Sequence, residues 1–167
     1  MKKYLIASVM LSAIGAFAHA GDVKITWQDP DKYTDVRSAT ERTDKFQEHV
    51  QHDLGEVFND LATKLPDGYH WDVTVTDIDL AGDISPWRRH GFNEVRVLKD
   101  LYPPKISFSY TLKDQNNQVV AEASENLLDA SYLQRSVRGG NQDFFYESRL
   151  LREWFGKKLR DKSFPSK

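Results

Sequence analysis

KISFSYTL, residues 105–112, alternates without a break: Ile106, Phe108, Tyr110 and Leu112 point one way, and Lys105, Ser107, Ser109 and Thr111 the other. A side-chain period of two, with one apolar and one polar face, marks a strand in a sheet covered on one side only. The flanking segments fit the same sheet. Upstream, Tyr102-Pro103-Pro104 forces an extended approach. Downstream, DQNNQ (114–118) reads as a hairpin turn, because Asn116-Asn117 tolerates the positive φ of a two-residue turn, and VVAEASEN (119–126) returns antiparallel. HWDVTVTDIDL (70–80) and EVRVLK (94–99) supply two more strands. VKITWQ (23–28) supplies another near the start, with Val23, Ile25 and Trp27 opposed to Lys24, Thr26 and Gln28.

Two segments carry the other period. Phe46, Val50, Leu54, Val57, Phe58, Leu61, Ala62 and Leu65 recur at spacings of three and four and form one stripe of a long helix. Ser38-Ala39-Thr40-Glu41 matches a capping box ahead of it, with Thr43 as the alternative cap. Pro66 and Gly68 stop it. The closing segment DFFYESRLLREWFGKKL (143–159) places Leu150, Leu151, Trp154 and Phe155 on one face and Lys157, Lys158 and Arg160 near the C-terminal dipole. The expected order is β-α-β-β-β-β-α. Strands with a single apolar face and only two helices imply an α/β (α+β) two-layer sandwich: a mostly antiparallel four- to five-stranded sheet with both helices on one face.

The first twenty residues read as a leader. Lys2 and Lys3 precede an apolar run from Tyr4 to Phe17, and Ala18-His19-Ala20 carries the small residues a signal peptidase needs. The run is shorter than the roughly 20 residues of a membrane span. No cysteine occurs anywhere, which excludes a lipoprotein, a disulfide framework and thiol chemistry. Cleavage after Ala20 delivers one domain, residues 21–167, to the periplasm. Losing Lys2 and Lys3 takes the 23 basic residues to 21 against 25 acidic ones, a formal charge of −4. An acidic domain without a basic run is a poor nucleic-acid binder.

TDIDLAGD (76–83) gathers three carboxylates at a strand end. Asp77, Asp79 and Gly82 match positions 1, 3 and 6 of an EF-hand loop, but position 5 is Ala81 and position 12 is Arg88 where a bidentate glutamate belongs. That argues against a metal site. Asp77 and Asp79 could pair across one strand face for glycoside hydrolysis, yet nothing beside them marks a sugar cleft. The simpler expectation has Asp79 and Asp83 accepting backbone hydrogen bonds, Gly82 adopting an unusual φ, and Arg88 or Arg89 close to Asp79 or Asp83. The polar loop Asp83 to Asn93 then brings Trp87, Arg88, Arg89, His90 and Phe92 together. Two readings stand: a recognition loop, because Trp and Arg dominate binding hot spots, or a tryptophan folded back over the sheet edge.

Other constellations offer less. His49 and His52 in EHVQH share the outward helix face with Glu56, lack zincin spacing, and are expected as solvated surface. No G-x-S-x-G surrounds a serine, and Gly139-Gly140 leads to Asn141 without a phosphate-binding lysine.

The pieces ITWQDPDKYTD, Asp-Leu-Ala-Gly, Pro-Trp-Arg, Tyr-Pro-Pro, LLDASYL (127–133) and FYESRLLREWF (145–155), in that order, resemble the bacterial family called domain of unknown function 3016. The resemblance implies a secreted envelope protein and carries over no catalytic residue. The element order also looks like the small α/β domains of several envelope accessory proteins, a likeness of fold only. The expected function is a non-enzymatic periplasmic protein, without cofactor or metal, that binds a protein or cell-envelope partner. Its candidate residues are Asp77, Asp79, Asp83, Trp87, Arg88, Arg89, Arg96 and Tyr102. The rival expectation is a small-ligand-binding protein or hydrolase using Asp77, Asp79, Arg88 and Arg96 in a cleft, and a third is a purely structural or stress-related secreted protein.

Overall fold

The computed structural model describes residues 21–85, 95–135 and 143–167. Its regular elements are β1 (Asp22–Trp27), α1 (Thr43–Ala62), β2 (His70–Asp79), β3 (Asp83–Ser85), β4 (Val95–Val97), β5 (Lys105–Lys113), β6 (Val119–Leu128) and α2 (Phe145–Arg160). The expected order of strands and α-helices holds, with one addition. Asp83–Ser85, expected in the polar loop, forms a short strand against β4. Three residues are too few to display a period, and the pairing partner lies across an intervening segment.

β1, β2, β5 and β6 form one mixed sheet in the spatial order β1-β2-β5-β6. β2–β5 and β5–β6 are antiparallel, whereas β1 lies parallel to β2 with Ile25 opposite Val73. A parallel neighbour needs a crossover, and α1 supplies it. β3 and β4 make a separate two-stranded ribbon. The ladder between β2 and β5 is irregular at one point: Val75 faces Phe108 and Asp77 faces Ser107, leaving Thr76 as an extra residue. The bulge shifts the alternation, so Trp71, Val73 and Val75 are buried before it and Ile78 after it.

Both helices cover the same face of the sheet. Phe58 of α1 meets Trp71 and Phe108 with ring centroids 5.5 and 5.9 Å apart, and Trp154 of α2 meets Trp71 at 6.1 Å and Phe108 at 5.0 Å. Leu54 and Phe108 lie in one core cluster with Leu151 and Phe155. The opposite face carries Lys113 paired to Asp72 and Lys105 paired to Asp79.

Two local expectations change. Ser38 Oγ accepts from the amides of Thr40 and Glu41, so the hydroxyl is engaged in a turn ahead of the helix, which starts at Thr43 behind Arg42 without a side-chain cap. The hairpin at 114–118 is not a two-residue turn. Asp114 accepts from Asn117 N–H through its carbonyl and from Asn116 and Gln118 N–H through Oδ1, and only Asn117 is left-handed, at φ 60°.

Candidate functional site

Asp77 and Asp79 of the acidic stretch are held apart, each by its own neighbour. Asp77 accepts Thr34 N–H at 2.7 Å on Oδ1 and Thr34 Oγ1–H at 2.8 Å on Oδ2. The backbone continues the same join: Asp35 N–H donates to Ile78 O at 3.1 Å and Leu80 N–H to Asp35 O at 3.1 Å. The segment after β1 is thereby laid along the end of β2. Tyr33 adds a hydrogen bond to Val75 O, and burial, reinforced by Asp77 and Asp29, pushes its hydroxyl up to about 12. Backbone capping therefore falls to Asp77 rather than to Asp79, whose Oδ2 accepts Lys105 Nζ–H at 2.7 Å. The expected Arg88 or Arg89 partners, together with Trp87, His90 and Phe92, lie outside the described residues.

Gly82 follows at φ 82° and donates to Tyr102 O at 2.9 Å. A Cβ here would stand 2.6 Å from Val97 O, so the crossing of the ribbon over this point requires glycine. Asp83 opens β3 opposite Val97, and Tyr102 lies half-exposed beyond β4.

Arg96 is the clamp of the region. Its Nη1 donates to Asp35 Oδ2 at 2.8 Å and to Gly82 O at 3.2 Å, and its Nη2 to Arg37 O at 2.8 Å. Asp35 is 7% exposed and so has its charge matched inside the fold. The guanidinium, nominated for recognition from the sequence, ties the 35–37 segment to the ribbon. Among the described residues, neither Asp77 nor Asp79 lines the cavity that Arg96 lines.

Beside that clamp, among the described residues, is a cavity of about 600 Å³. Leu80, Val95 and Leu98 form one wall, Phe46 and Phe144 another, and Arg96 and Glu147 supply charge. Glu147 is 2% exposed, and its Oε1 accepts Ala81 N–H at 2.7 Å. Burial drives its carboxyl above the usual range, and Asp79 adds to the rise; the hydrogen bond from Ala81, its own N–H and the nearby Arg96 oppose it. His49 and Asp143 stand on the cavity wall as well, so His49 is part of a cluster instead of plain solvated surface.

A third buried acidic side chain, after Asp35 and Glu147, organises the other side of α2. Asp129, 5% exposed, faces Arg135 at 2.8 Å and Arg149 at 3.1 Å. Burial raises this carboxyl, but Arg135, the Ser131 N–H and Arg149 together outweigh burial and hold it below its usual value. Tyr132, fully buried, donates to Lys99 O at 2.9 Å. Asp35, Asp129 and Glu147 were not nominated from the sequence. Glu147 did leave a trace, since it sits three and four residues before Leu150 and Leu151 on the apolar stripe.

Comparison with known proteins gives one match. No curated protein and no solved structure matches the chain. A family model described as protein of unknown function (DUF3016) matches residues 21–157, most of the chain and every element of the sheet. The chain is therefore a member of the DUF3016 family.

Proposed function

We propose that the protein is an exported, non-enzymatic domain of the cell envelope that binds a protein partner through the β3–β4 ribbon and the turn after it. The observation that carries this reading is the placement of exposed apolar side chains. Of the eight large hydrophobic residues exposed among the described residues, Val95, Leu98, Leu101 and Tyr102 fall within one eight-residue stretch, and Leu101 is 76% exposed. Surface apolar residues scattered singly need no explanation, whereas four gathered in one short segment, two of them also at the cavity rim, point to an apolar complement. The partner is accordingly a protein presenting its own apolar side chains. Support for export comes from the basic, apolar and Ala-x-Ala pattern of residues 1–20, and no described helix is long and apolar enough to cross a membrane.

The test is site-specific photocrosslinking in producing cells, with the reactive residue at Leu101 or Tyr102 and, for comparison, at Val119 or Val120 beside the hairpin turn. The same discrete adduct from both ribbon positions, absent from both hairpin positions, is the expected result. Adducts that do not distinguish the two places would remove the basis of the reading.

A second reading rests on a different observation. The cavity beside Arg96 joins apolar walls to a buried carboxyl of raised pKa, the combination found in small-molecule sites. Under this reading the ligand is a small molecule with an apolar body. Binding of such compounds would be weakened by filling the cavity with Ala39→Trp and unaffected by Leu101→Glu, the reverse of the pattern expected for the partner surface.

A further inference from the structure

His49 and Asp53 lie one turn apart on α1, so both side chains leave the same face of the helix. Asp143 comes to that face from the residues ahead of α2, where Phe144 takes a left-handed conformation at φ 50°. His49 Nε2 is 3.4 Å from Asp53 Oδ2 and 3.6 Å from Asp143 Oδ2, and the three ligand atoms all lie within 4.8 Å of one another. The geometry points to a binding site for a divalent transition-metal ion of the zinc class, held by His49 Nε2 and the carboxylates of Asp53 and Asp143. This inference stands apart from the partner and small-ligand readings, because the three side chains bind the ion or fail to whatever else the domain contacts.

Distances favour the assignment. A tetrahedral ion with bonds of roughly 2.0–2.2 Å holds its ligand atoms about 3.3–3.6 Å apart. Two edges of the triangle already have that length. The third, between the two carboxylates, is no longer than 4.8 Å, and the Asp143 side chain, 72% exposed, has room to adjust it. Ligand chemistry narrows the choice of ion. Imidazole suits zinc and its transition-metal neighbours, whereas calcium and magnesium call for oxygen ligands throughout.

The surroundings orient the ligands. His52 Nδ1 lies 3.1 Å from Asp53 Oδ1, the oxygen not used toward His49, an outer contact of the kind that fixes a metal-binding carboxylate. The His49 ring stands edge-on to Phe46 and Phe144, with centroids 6.5 and 5.3 Å away. Three protein ligands leave a fourth position for water or another ligand. His49 and Asp143 both line the cavity, so that position opens toward it. The same side chains without a metal would make histidine–carboxylate contacts only, and the experiment separates the two.

The full purified chain, stripped with chelator, is titrated calorimetrically with zinc chloride near pH 7.5. One ion per chain is expected, with a dissociation constant tighter than about 10 μM. His49→Ala and Asp143→Asn should each weaken binding at least tenfold, while His70→Ala, at a separate histidine–aspartate pair beside β1, should leave it unchanged. X-ray absorption of the zinc-loaded protein should report one nitrogen among oxygen neighbours. Both informative positions are exposed enough to be altered without unfolding the domain, and thermal unfolding of the stripped variants checks this. Absence of saturable one-to-one binding, or binding that survives both His49→Ala and Asp143→Asn, overturns the assignment and leaves histidine–carboxylate contacts only.

Discussion

Glu147→Gln should stabilise the protein at neutral pH, although it removes a charge from a site next to Arg96. Glu147 is 2% exposed, and Arg96 is already engaged by Asp35 at 2.8 Å, so the guanidinium is only partly available to it. Burial therefore dominates, and the carboxyl is protonated in the folded protein at pH values where it ionises in the unfolded chain. In that window the native state holds the extra proton, so stability falls as pH rises from the ordinary glutamate pKa toward the raised folded value. One proton corresponds to a slope of about 1.4 kcal/mol per pH unit. Glutamine keeps an acceptor for Ala81 N–H and never ionises, so its advantage over the parent is absent in acid and grows with that slope across the window. Glu147→Ala gives the contrasting result: Ala81 N–H, on a residue 4% exposed, loses its acceptor at a cost of about 1–3 kcal/mol at every pH. Urea unfolding of all three proteins from pH 4 to pH 8 measures the effect. A parent-minus-glutamine difference that stays flat across that range would refute the reasoning, because it would mean that Glu147 folds as a carboxylate.

Leu54→Ala should cost about 2–5 kcal/mol and Phe108→Ala about 3–5 kcal/mol in urea unfolding, since each side chain is 1% exposed in the shared core. Asp129→Ala should cost about 3–5 kcal/mol by leaving Arg149 without its buried counterion, seen as a lowered denaturation midpoint. Because the Asp129 carboxyl is held below its usual value, its contribution is present above the ordinary aspartate pKa and lost as pH falls through the folded one; acid titration of the parent and Asp129→Asn should converge there. Gly82→Ala should cost about 1–3 kcal/mol, because φ 82° and the 2.6 Å approach to Val97 O both oppose a Cβ; a thermal midpoint equal to the parent's would show that the ribbon can move aside.

The core was legible in the sequence because its signals are local. The alternation of residues 105–112 and the stripe from Val50 to Leu61 each lie within one element, and burial follows both patterns. Pairings that cross the chain left no comparable mark. The parallel partnership of β1 with β2 depends on a crossover, and Thr34 meets Asp77 across 43 positions. The acidic stretch shows the difference most clearly: its residue types correctly suggested anchoring, but which aspartate anchors was decided by a segment far upstream. The cavity and the His49 cluster are harder still, since their walls come from α1, the ribbon and the start of α2. The segment 37–41 adds a further wall, and none of these separated segments carries the arrangement by itself.

The extra residue at Thr76 gives β2 a tolerance of length that an evenly laddered strand lacks. Because two residues of β2 stand opposite one interval of β5, the strand is one residue longer than its pairing needs. Excising Thr76 would leave Trp71, Val73, Val75 and Ile78 in strict alternation, all facing the helices, with Asp77 and Asp79 still outward. Excising Asp77 would reach the same register but remove both acceptors of Thr34. Excising Thr74 would bring Thr76 inward and Val75 outward. A single-residue deletion in this strand is therefore survivable or damaging according to where it falls relative to Thr76. Length variation in the acidic segment can thus arise without disturbing the hydrophobic layer beneath it.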